Sequence, residues 1–365
     1  MQIRYITQYL ESIAPPSYQE SYDNAGLITG NADWECTGVL TTLDCTEAVV
    51  QEAIAKNVNL IVAHHPIVFK GLKKINGKNY VEQTVVAAIK SDIAIYAIHT
   101  NLDNVIDGVN ARIADKIGLA DRRILMPKAR ELCKLVTFAP HDHAENIRVA
   151  LFQAGAGSIG NYGQCSFNTN GEGTFKASES SHPFVGNIGE RHTEPETRIE
   201  TIFPKYLKSK VVAALLSAHP YEEVAYDIYL LENQYAQVGA GIIGTLPGPL
   251  DPTAFLQLLK ETFHLQVIRH TAFLGRSIRK VAVCGGAGSF LTAAAIGAGA
   301  DIYVTGDVKY HEFFDADGKI VLADIGHFES EQFTVELLFD YLRTKFPTFA
   351  VLKSDVRTNP VYYFV

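Results

Sequence analysis

The order of strand and helix signals constrains the fold most, because the two kinds alternate regularly through the first 120 residues. GVLTTLD (38–44), NLIVAHHP (59–66) and IAIYAIHT (93–100) predict strands, since apolar and β-branched residues dominate them. Amphipathic patterns predict helices at 46–57, 81–91 and 109–118. This alternation is typical of parallel strands with helices packed outside the sheet.

The same alternation returns near the end of the chain. Strands are predicted at 280–288, 300–307 and 319–327, and helices at 290–299 and 330–346. In both regions polar residues collect where a strand ends, and ligands of open α/β sheets bind at the carboxyl ends of strands. We therefore expect two α/β halves that form one core and face one cleft.

The middle of the chain has a different pattern. Strand, helix, strand occurs twice, with strands at 134–140, 164–170, 197–204 and 224–231 and helices at 142–153 and 205–217. That order is typical of a ferredoxin-like α+β unit. The apolar-poor stretch 170–195 predicts a mobile hairpin or loop. The predicted domains are the N-terminal half of the core (1–126), the insert (127–236) and the C-terminal half (237–365).

Composition excludes several classes of protein. A formal charge of −8 disfavours nucleic-acid binding, which needs a surplus of lysine and arginine. The sequence lacks an apolar run of roughly 18 residues, and its start lacks the pattern of a signal peptide, so no membrane partner is expected. The five cysteines are widely spaced without a C-x-x-C pair, which favours a reducing compartment. We expect a soluble, cytoplasmic protein.

The adjacent residues His64 and His65 directly follow the apolar run 60–63. Each neutral imidazole brings one donor and one acceptor that need partners, and a metal ion would satisfy both rings. Pro66 favours the end of the strand there, so the rings can reach one centre or hold one metal each. The alternative is that one ring packs in the core and the other faces solvent.

Three further residues favour the metal interpretation. Asp103 lies just past a predicted strand, and His327 and Glu331 are four residues apart, which places them on one helix face. Separately, these could be a turn aspartate and a surface helix pair. Together with the histidine pair they form a nitrogen and oxygen ligand set that suits zinc, manganese, iron or cobalt rather than calcium. Two divalent ions in such a set would lower the pKa of bound water from about 15.7 to about 7.

Other polar residues have weaker patterns. His99 could orient a ligand or move a proton, or could be a satisfied core histidine. Five further residues could contact a substrate, or could instead have structural roles in turns: Asn24, Thr305, Asp307, Lys309 and His311. The CGGAG sequence at 284–288 could approach a phosphate with its amides or pack a strand tightly against a helix.

Several ordered motifs together resemble one family. They are YDNAGLITG (22–30), VAHHPIVF (62–69), IHTNLDNV (98–105), TGDVKYHE (305–312) and IGHFESE (325–331). These resemble the motifs of the Nif-three-like family, also labelled the GTP cyclohydrolase I type 2 homolog family. The sequences at 155–167 and 218–229 resemble the PII-like or CutA-like insert of its longer bacterial members.

The resemblance implies a site and an assembly. Two metal ions, zinc first and manganese, iron or cobalt as alternatives, would be held by His64, His65, Asp103, His327 and Glu331. Family members form homohexameric toroids with the metal sites facing an inner cavity.

The leading functional hypothesis is a dinuclear metal-dependent hydrolase of a nucleotide-like or heterocyclic substrate, with Glu331 and His99 as catalytic residues. The named activity would be opening of the guanine imidazole ring of GTP by metal-bound hydroxide. The competing hypothesis is a non-enzymatic regulatory or scaffold protein that binds metal and senses a small metabolite through its PII-like insert.

Overall fold

The computed structural model describes residues 1–364, and the chain divides into two compact units. The core unit consists of Met1–Pro127 together with the residues from Gln237 onward. The insert unit is Lys128–Ala236. No helix among residues 1–364 is long and apolar enough to cross a membrane.

The strands, in chain order, are β1 (Gly26–Thr29), β2 (Val39–Thr42), β3 (Leu60–Ala63), β4 (Ala94–Ala97), β5 (Ala120–Ala129), β6 (Leu132–Pro140), β7 (Phe167–Lys176), β8 (Arg191–Pro204), β9 (Tyr226–Leu231), β10 (Gln234–Leu250), β11 (Arg269–His270), β12 (Ile278–Ala287), β13 (Ile302–Gly306), β14 (Val321–Asp324) and β15 (Val351–Lys353).

The helices, in chain order, are α1 (Ile3–Ile13), α2 (Glu47–Ala55), α3 (Tyr80–Lys90), α4 (Thr100–Asp103), α5 (Val109–Ile117), α6 (Ala144–Gln153), α7 (Lys208–Ala218), α8 (Pro252–Thr262), α9 (Thr292–Gly297), α10 (His327–Glu331) and α11 (Thr334–Lys345).

The first sheet of the core unit has the order β1-β4-β3-β2-β15. Strands β15, β2, β3 and β4 run parallel, and β1 is an antiparallel edge strand. Every residue of β2, β3 and β4 is buried, as parallel strands covered on both faces require. Thr42, Ala63 and Ala97 are aligned by the strand register. The residues that follow these three strands therefore emerge at one edge of the sheet.

The second sheet of the core unit has the order β11-β14-β13-β12-β10-β5. Its strands β12, β13 and β14 are parallel, as the sequence pattern predicts, and β10 and β11 are antiparallel to their neighbours. The carboxyl ends of β13 and β14 precede Asp307 and His327. This places both residues at the end of the sheet where α/β proteins bind ligands.

The two sequence-predicted halves do not form separate sheets. Strand β15, near the C-terminus, pairs with β2 in the first sheet, and β5, from the N-terminal part, belongs to the second sheet. The three residues of β15 are too few to show the period of two that identifies a strand in a sequence. The pairing of β15 with β2 is therefore a finding of the tertiary structure.

The single helix predicted at 330–346 is two helices, α10 and α11. The side chain of Gln332 donates a hydrogen bond to the backbone oxygen of Glu329, at 3.0 Å. That oxygen is the acceptor that a continuous α-helix would offer to the amide of Phe333. Competition by the Gln332 side chain accounts for the break.

The insert unit contains one antiparallel sheet of order β7-β8-β6-β9 with two helices. This is the strand order of a ferredoxin-like unit. Residues of α6 and α7, including Ile147 and Leu215, pack with Leu135 and Ile199 of the sheet in one apolar cluster. The stretch predicted as a hairpin or loop is a hairpin, because β7 pairs with β8 from Phe167 to Lys176.

His219 makes the insert unit sensitive to acid. Its Nε2 donates to the backbone oxygen of Phe138 and its Nδ1 accepts from the amide of Tyr221, which requires the neutral ring. Burial lowers the pKa of His219 below its usual value. Its stabilising effect is therefore present above the unfolded pKa of about 6.5 and is lost as the pH falls toward the folded pKa.

We expect His219→Gln to reduce the loss of insert stability between pH 7 and pH 5. The removed slope is at most about 1.4 kcal/mol per pH unit, the value for one proton. Hydrogen exchange of peptides from α7 and β9, compared across this pH range, measures the effect. His182→Gln is the control, since the side chain of His182 is 92% exposed. An unchanged slope in His219→Gln would contradict this interpretation.

Candidate metal centre

The ends of two neighbouring strands position three histidines. His64 and His65 continue β3, and their amides donate to the backbone oxygens of Thr42 and Leu43, at 3.1 and 2.9 Å. His99 follows β4 in the same way. The three imidazoles lie within 5.3 Å of one another between ring centroids. The parallel register of β3 and β4 is what brings them together.

Two short helices supply the carboxylates. Asp103 is the last residue of the single turn α4, which begins directly after His99. In α10, His327 Nε2 lies 3.1 Å from Glu331 Oε2, as the spacing of four residues predicts. Glu331 is buried, with 3% of its side chain exposed.

Each of the four imidazoles donates its Nδ1 proton to an oxygen that can only accept. The pairs are His64 with the backbone oxygen of Ile98 (2.8 Å), His65 with Asp44 (2.7 Å), His99 with Asp23 (2.7 Å) and His327 with Asp307 (2.8 Å). This fixes the tautomer, so that each neutral ring keeps its lone pair on Nε2. Oxygen partners on the outer nitrogen are typical of metal-binding histidines.

The inner nitrogens and carboxylates form two groups around Glu331. Its Oε2 lies 3.0 Å from His65 Nε2 and 3.1 Å from His327 Nε2. Its Oε1 lies 3.8 Å from His64 Nε2, which in turn lies 3.7 Å from Asp103 Oδ1. In each group the ligand atoms lie within 4.8 Å of one another.

These residues fit a divalent cation. His64 Nε2 and Asp103 Oδ1 are buried and have no hydrogen-bond partner among the described residues. His65 Nε2 and His327 Nε2 are only 3.4 Å apart. Buried polar atoms without a partner, such as His64 Nε2 and Asp103 Oδ1, are costly, and a metal ion bound there would remove that cost. The described residues therefore include groups that could hold a metal.

The site perturbs the pKa of its five predicted metal ligands. Burial lowers the pKa of His64 to about 4. Burial also opposes the charged form of His65, but its bonds to Asp44 and Glu331 outweigh that effect and raise its pKa to about 10. Burial and the charge of Glu331 raise the pKa of Asp103 well above its usual value. Without a metal, these carboxyl and imidazole groups compete for protons. A bound metal ion would accept lone pairs from all of them.

Sequence reasoning missed Asp23 and Asp44, which hold the outer nitrogens of His99 and His65. Burial opposes ionisation of Asp23, but its hydrogen bonds with His99 and Thr100 lower its pKa to about 2. The pKa of Asp44 is also lowered, because the bond to His65 outweighs burial. The signal for Asp44 was its position at the end of the predicted strand 38–44.

The structure separates the predicted substrate contacts. Asp307 accepts a hydrogen bond from His327 and lines the cavity of about 710 Å³ that opens onto the metal ligands. The other four predicted contacts do not line that cavity. Asn24 donates to the backbone oxygen of Val68 at 2.6 Å, and Thr305 is fully buried with its hydroxyl bonded to backbone. Lys309 and His311 are exposed.

The CGGAG sequence packs against Glu331 and offers no phosphate cradle. The amides of Gly285, Gly286 and Gly288 donate to the side chains of Asn110, Ser330 and Thr305. A Cβ atom at Gly286 would lie 2.4 Å from Glu331 Oε1. Close packing, the alternative to phosphate binding, is therefore the role that the contacts support.

A cavity of about 710 Å³ opens onto the cluster. Its aromatic wall consists of Tyr22, Phe69, Phe290, Phe328 and Tyr363. Among the described residues, Arg269 is the one lysine or arginine that lines it, against seven carboxylates. The cavity therefore suits a planar, largely apolar ring better than a highly charged anion.

Comparison with known proteins finds the same family that the sequence motifs resemble. The model of the Duf34/NIF3 (NGG1p interacting factor 3) family matches residues 1–360. The chain belongs to this family. It is 42% identical over 361 residues to a Halalkalibacterium halodurans protein named GTP cyclohydrolase 1 type 2 homolog, covering 97% of each chain. A Bacillus subtilis protein of the same name is 39% identical over 312 residues, which are 85% of this chain and 84% of that protein.

Two solved structures show the same architecture. A Bacillus cereus protein related to NIF3 superimposes with a TM-score of 0.87 at 38% identity, covering 100% of this chain and 99% of that chain. A Staphylococcus aureus protein gives a TM-score of 0.78 at 29% identity with the same coverage. The likeness extends over the core unit and the insert unit.

We expect Asp44→Asn to weaken the binding of one metal ion. The substitution keeps an acceptor for His65 Nδ1 but removes the charge that raises the basicity of the ring. Losing such an outer partner typically lowers metal affinity 10- to 100-fold. Competition with graded chelator, followed by elemental analysis, measures the loss. Asp355→Asn, at an exposed ion pair with Lys56, should retain full affinity. Equal affinities in the two variants would contradict the role of Asp44.

Proposed function

We propose that the protein is a dinuclear metal-dependent hydrolase of a nucleotide-like or heterocyclic substrate. The observation that carries the proposal is the position of Glu331 between two ligand groups. Its Oε2 faces His65 and His327, and its Oε1 faces His64 on the side of Asp103. A carboxylate placed in this way can bridge two ions.

The chain's residues have distinct roles in this proposal. His64 with Asp103 would hold one ion and His65 with His327 the other, with zinc, manganese, iron or cobalt matching the donor set. When bound, the two ions supply an activated water and stabilise negative charge on the attacked group. His99 lines the cavity with its Nδ1 bonded to Asp23, which leaves Nε2 as the ring nitrogen that would exchange a proton with a substrate. Asp44 and Asp307 accept from Nδ1 of His65 and His327, which orients the rings and directs Nε2 toward a metal.

The cavity wall supports the heterocyclic substrate class. Phe69 and Tyr22, with ring centroids 6.1 Å apart, offer apolar faces on which a planar ring can stack. The name of the relatives suggests opening of the imidazole ring of GTP. A triphosphate would find Arg269 as its one side-chain cation among the described lining residues, so substrates of lower charge fit better.

The competing function is a regulatory or scaffold protein that binds metal and senses a metabolite through its insert. The ferredoxin-like order of the insert sheet is compatible with a PII-like or CutA-like relationship. A homohexameric toroid with inward-facing metal sites also stays a proposal. A PII-like insert and a toroid could occur in a hydrolase as well as in a regulatory protein. Only the hydrolase turns over a substrate, so a turnover assay distinguishes the two functions.

The test is a mass-spectrometric search for hydrolysis products. Metal-loaded protein is incubated with purine nucleotides, nucleosides, free bases and pterin precursors, beside Glu331→Gln protein that has been through the same metal treatment. A product that appears with the parent protein and not with the variant supports the hydrolase. Full metal loading without a product from any member of the panel favours the regulatory protein.

A further inference from the structure

A second cavity lies within the insert unit, and the metal centre does not account for it. It has a volume of about 660 Å³ and is lined by residues of β7, β8 and the segments 177–184 and 221–225. The backbone amide of His182 donates to Glu222 Oε1 at 2.8 Å, which ties these two segments together. The cavity is therefore built by hydrogen-bonded parts of one unit.

A buried carboxylate lines this cavity without a cation partner. Glu196 is 8% exposed, and its Oε1 accepts a hydrogen bond from the hydroxyl of Tyr221 at 2.9 Å. No lysine or arginine among the described residues forms an ion pair with it. Of the two basic side chains that line the cavity, Arg198 pairs with Glu200 at 2.9 Å and Lys176 forms no ion pair among the described residues. A buried, unpaired charge is costly, so a cation is the expected complement.

The carboxylate of Glu196 lies between β7 and the segment that follows α7. A Cβ atom at position 173 would lie 2.1 Å from Glu196 Oε2, so Gly173 leaves room for this oxygen. The hydroxyl of Tyr221 donates to the other oxygen. This hydrogen bond orients the carboxylate before a ligand binds, which lowers the cost of binding.

Aromatic rings surround the same cavity. The ring of Tyr221 lies 6.2 Å from that of Phe184 and 6.4 Å from that of Phe175, and Phe138 also lines the wall. Aromatic faces attract cations and bind flat apolar groups. Four carboxylates and two basic side chains line the cavity, which leaves an excess of negative charge.

We propose that the insert binds a small organic cation in this cavity: a protonated amine whose ammonium group pairs with Glu196 and whose apolar body rests on the rings of Phe175, Phe184 and Tyr221. The site is independent of the metal centre and of the hydrolase function.

Calorimetric titration of the full-length protein tests this site. The probe is 2-phenylethylammonium, and the neutral alcohol 2-phenylethanol is its matched control. We expect saturable binding of the amine with a dissociation constant on the order of 1 mM, as for a good ligand of this size, and at least about 10-fold weaker binding of the alcohol.

Variants then locate the binding. Glu196→Gln keeps an acceptor for Tyr221. It should weaken binding of the amine about 10-fold and leave binding of the alcohol unchanged. Phe184→Leu should also weaken binding of the amine. Because this ring is 52% exposed, its loss should not unfold the insert unit. Glu200→Gln, on the same strand, should bind like the parent.

The proposal is overturned by absence of saturable amine binding, by equal binding of amine and alcohol, or by equal affinity of the parent protein and both site variants. If Glu196→Gln does not fold, the Phe184→Leu result alone decides. Failure here leaves the metal content and turnover of the core unit unaffected, so it is distinguishable from failure of the proposed hydrolase.

Discussion

We expect the Glu331→Gln variant to lose both metal ions and all hydrolytic turnover. The two carboxylate oxygens face different ligand groups, so one substitution removes a ligand from each. The new amide also places hydrogen atoms against imidazole nitrogens 3.0 to 3.1 Å away. The loss of affinity should exceed the 10- to 100-fold typical for removal of an outer partner.

Elemental analysis after dialysis measures this effect, and Glu329→Gln is the matched control. Glu329 lies in the same helix and lines the same cavity, but its Oε1 accepts from the side chain of Asn359 at 3.1 Å. The control should keep the parent's metal content. Parent-like metal content in Glu331→Gln would show that Glu331 does not bridge the ions, and loss in both variants would show that the effect is not specific to it.

A second large effect is expected from Gly286→Ala, which changes no ligand. At this position φ is +63°, and the added Cβ would lie 2.4 Å from Glu331 Oε1. The carboxylate must move or the strand end must shift. Displacing this ligand oxygen should weaken metal binding on the order of 10- to 100-fold, comparable to the loss of a partner of a metal ligand.

Gly318→Ala separates the contact from the backbone strain. Gly318 has nearly the same φ, +61°, but a Cβ there would meet no atom within 4 Å. Both variants carry the conformational cost of an alanine at positive φ. We expect Gly318→Ala to lose some thermal stability and no metal, whereas Gly286→Ala loses metal. If metal affinity changes equally in the two variants, the contact with Glu331 has no role.

The local elements were predictable because their signals lie in short stretches of sequence. The run 60–63 predicts a buried strand, and β3 is buried at every position. The alternation of the insert predicts its two helices and four strands, and the sheet has the corresponding order. The family resemblance is confirmed by a family model that spans residues 1–360.

The sequence predicted wrongly, or left open, what a distant contact decides. The three residues of β15 show no periodic pattern, and their pairing with β2 stabilises them as a strand. The break between α10 and α11 depends on a side chain that competes for a backbone oxygen. Lys309 and His311 share a motif with Asp307, but they are exposed and outside the cavity lining, so a substrate role for them stays a prediction.

The sequence by itself determined the order of the elements and the chemical types of the ligands, because periodicity and adjacency such as His64 beside His65 are local properties. Only the tertiary structure decided which groups converge. His65 and Glu331 are 266 positions apart, and their 3.0 Å contact depends on the packing of separate parts of the core unit. The outer partners Asp23 and Asp44 and the clearance at Gly286 are set in the same way, by contacts that no local pattern encodes.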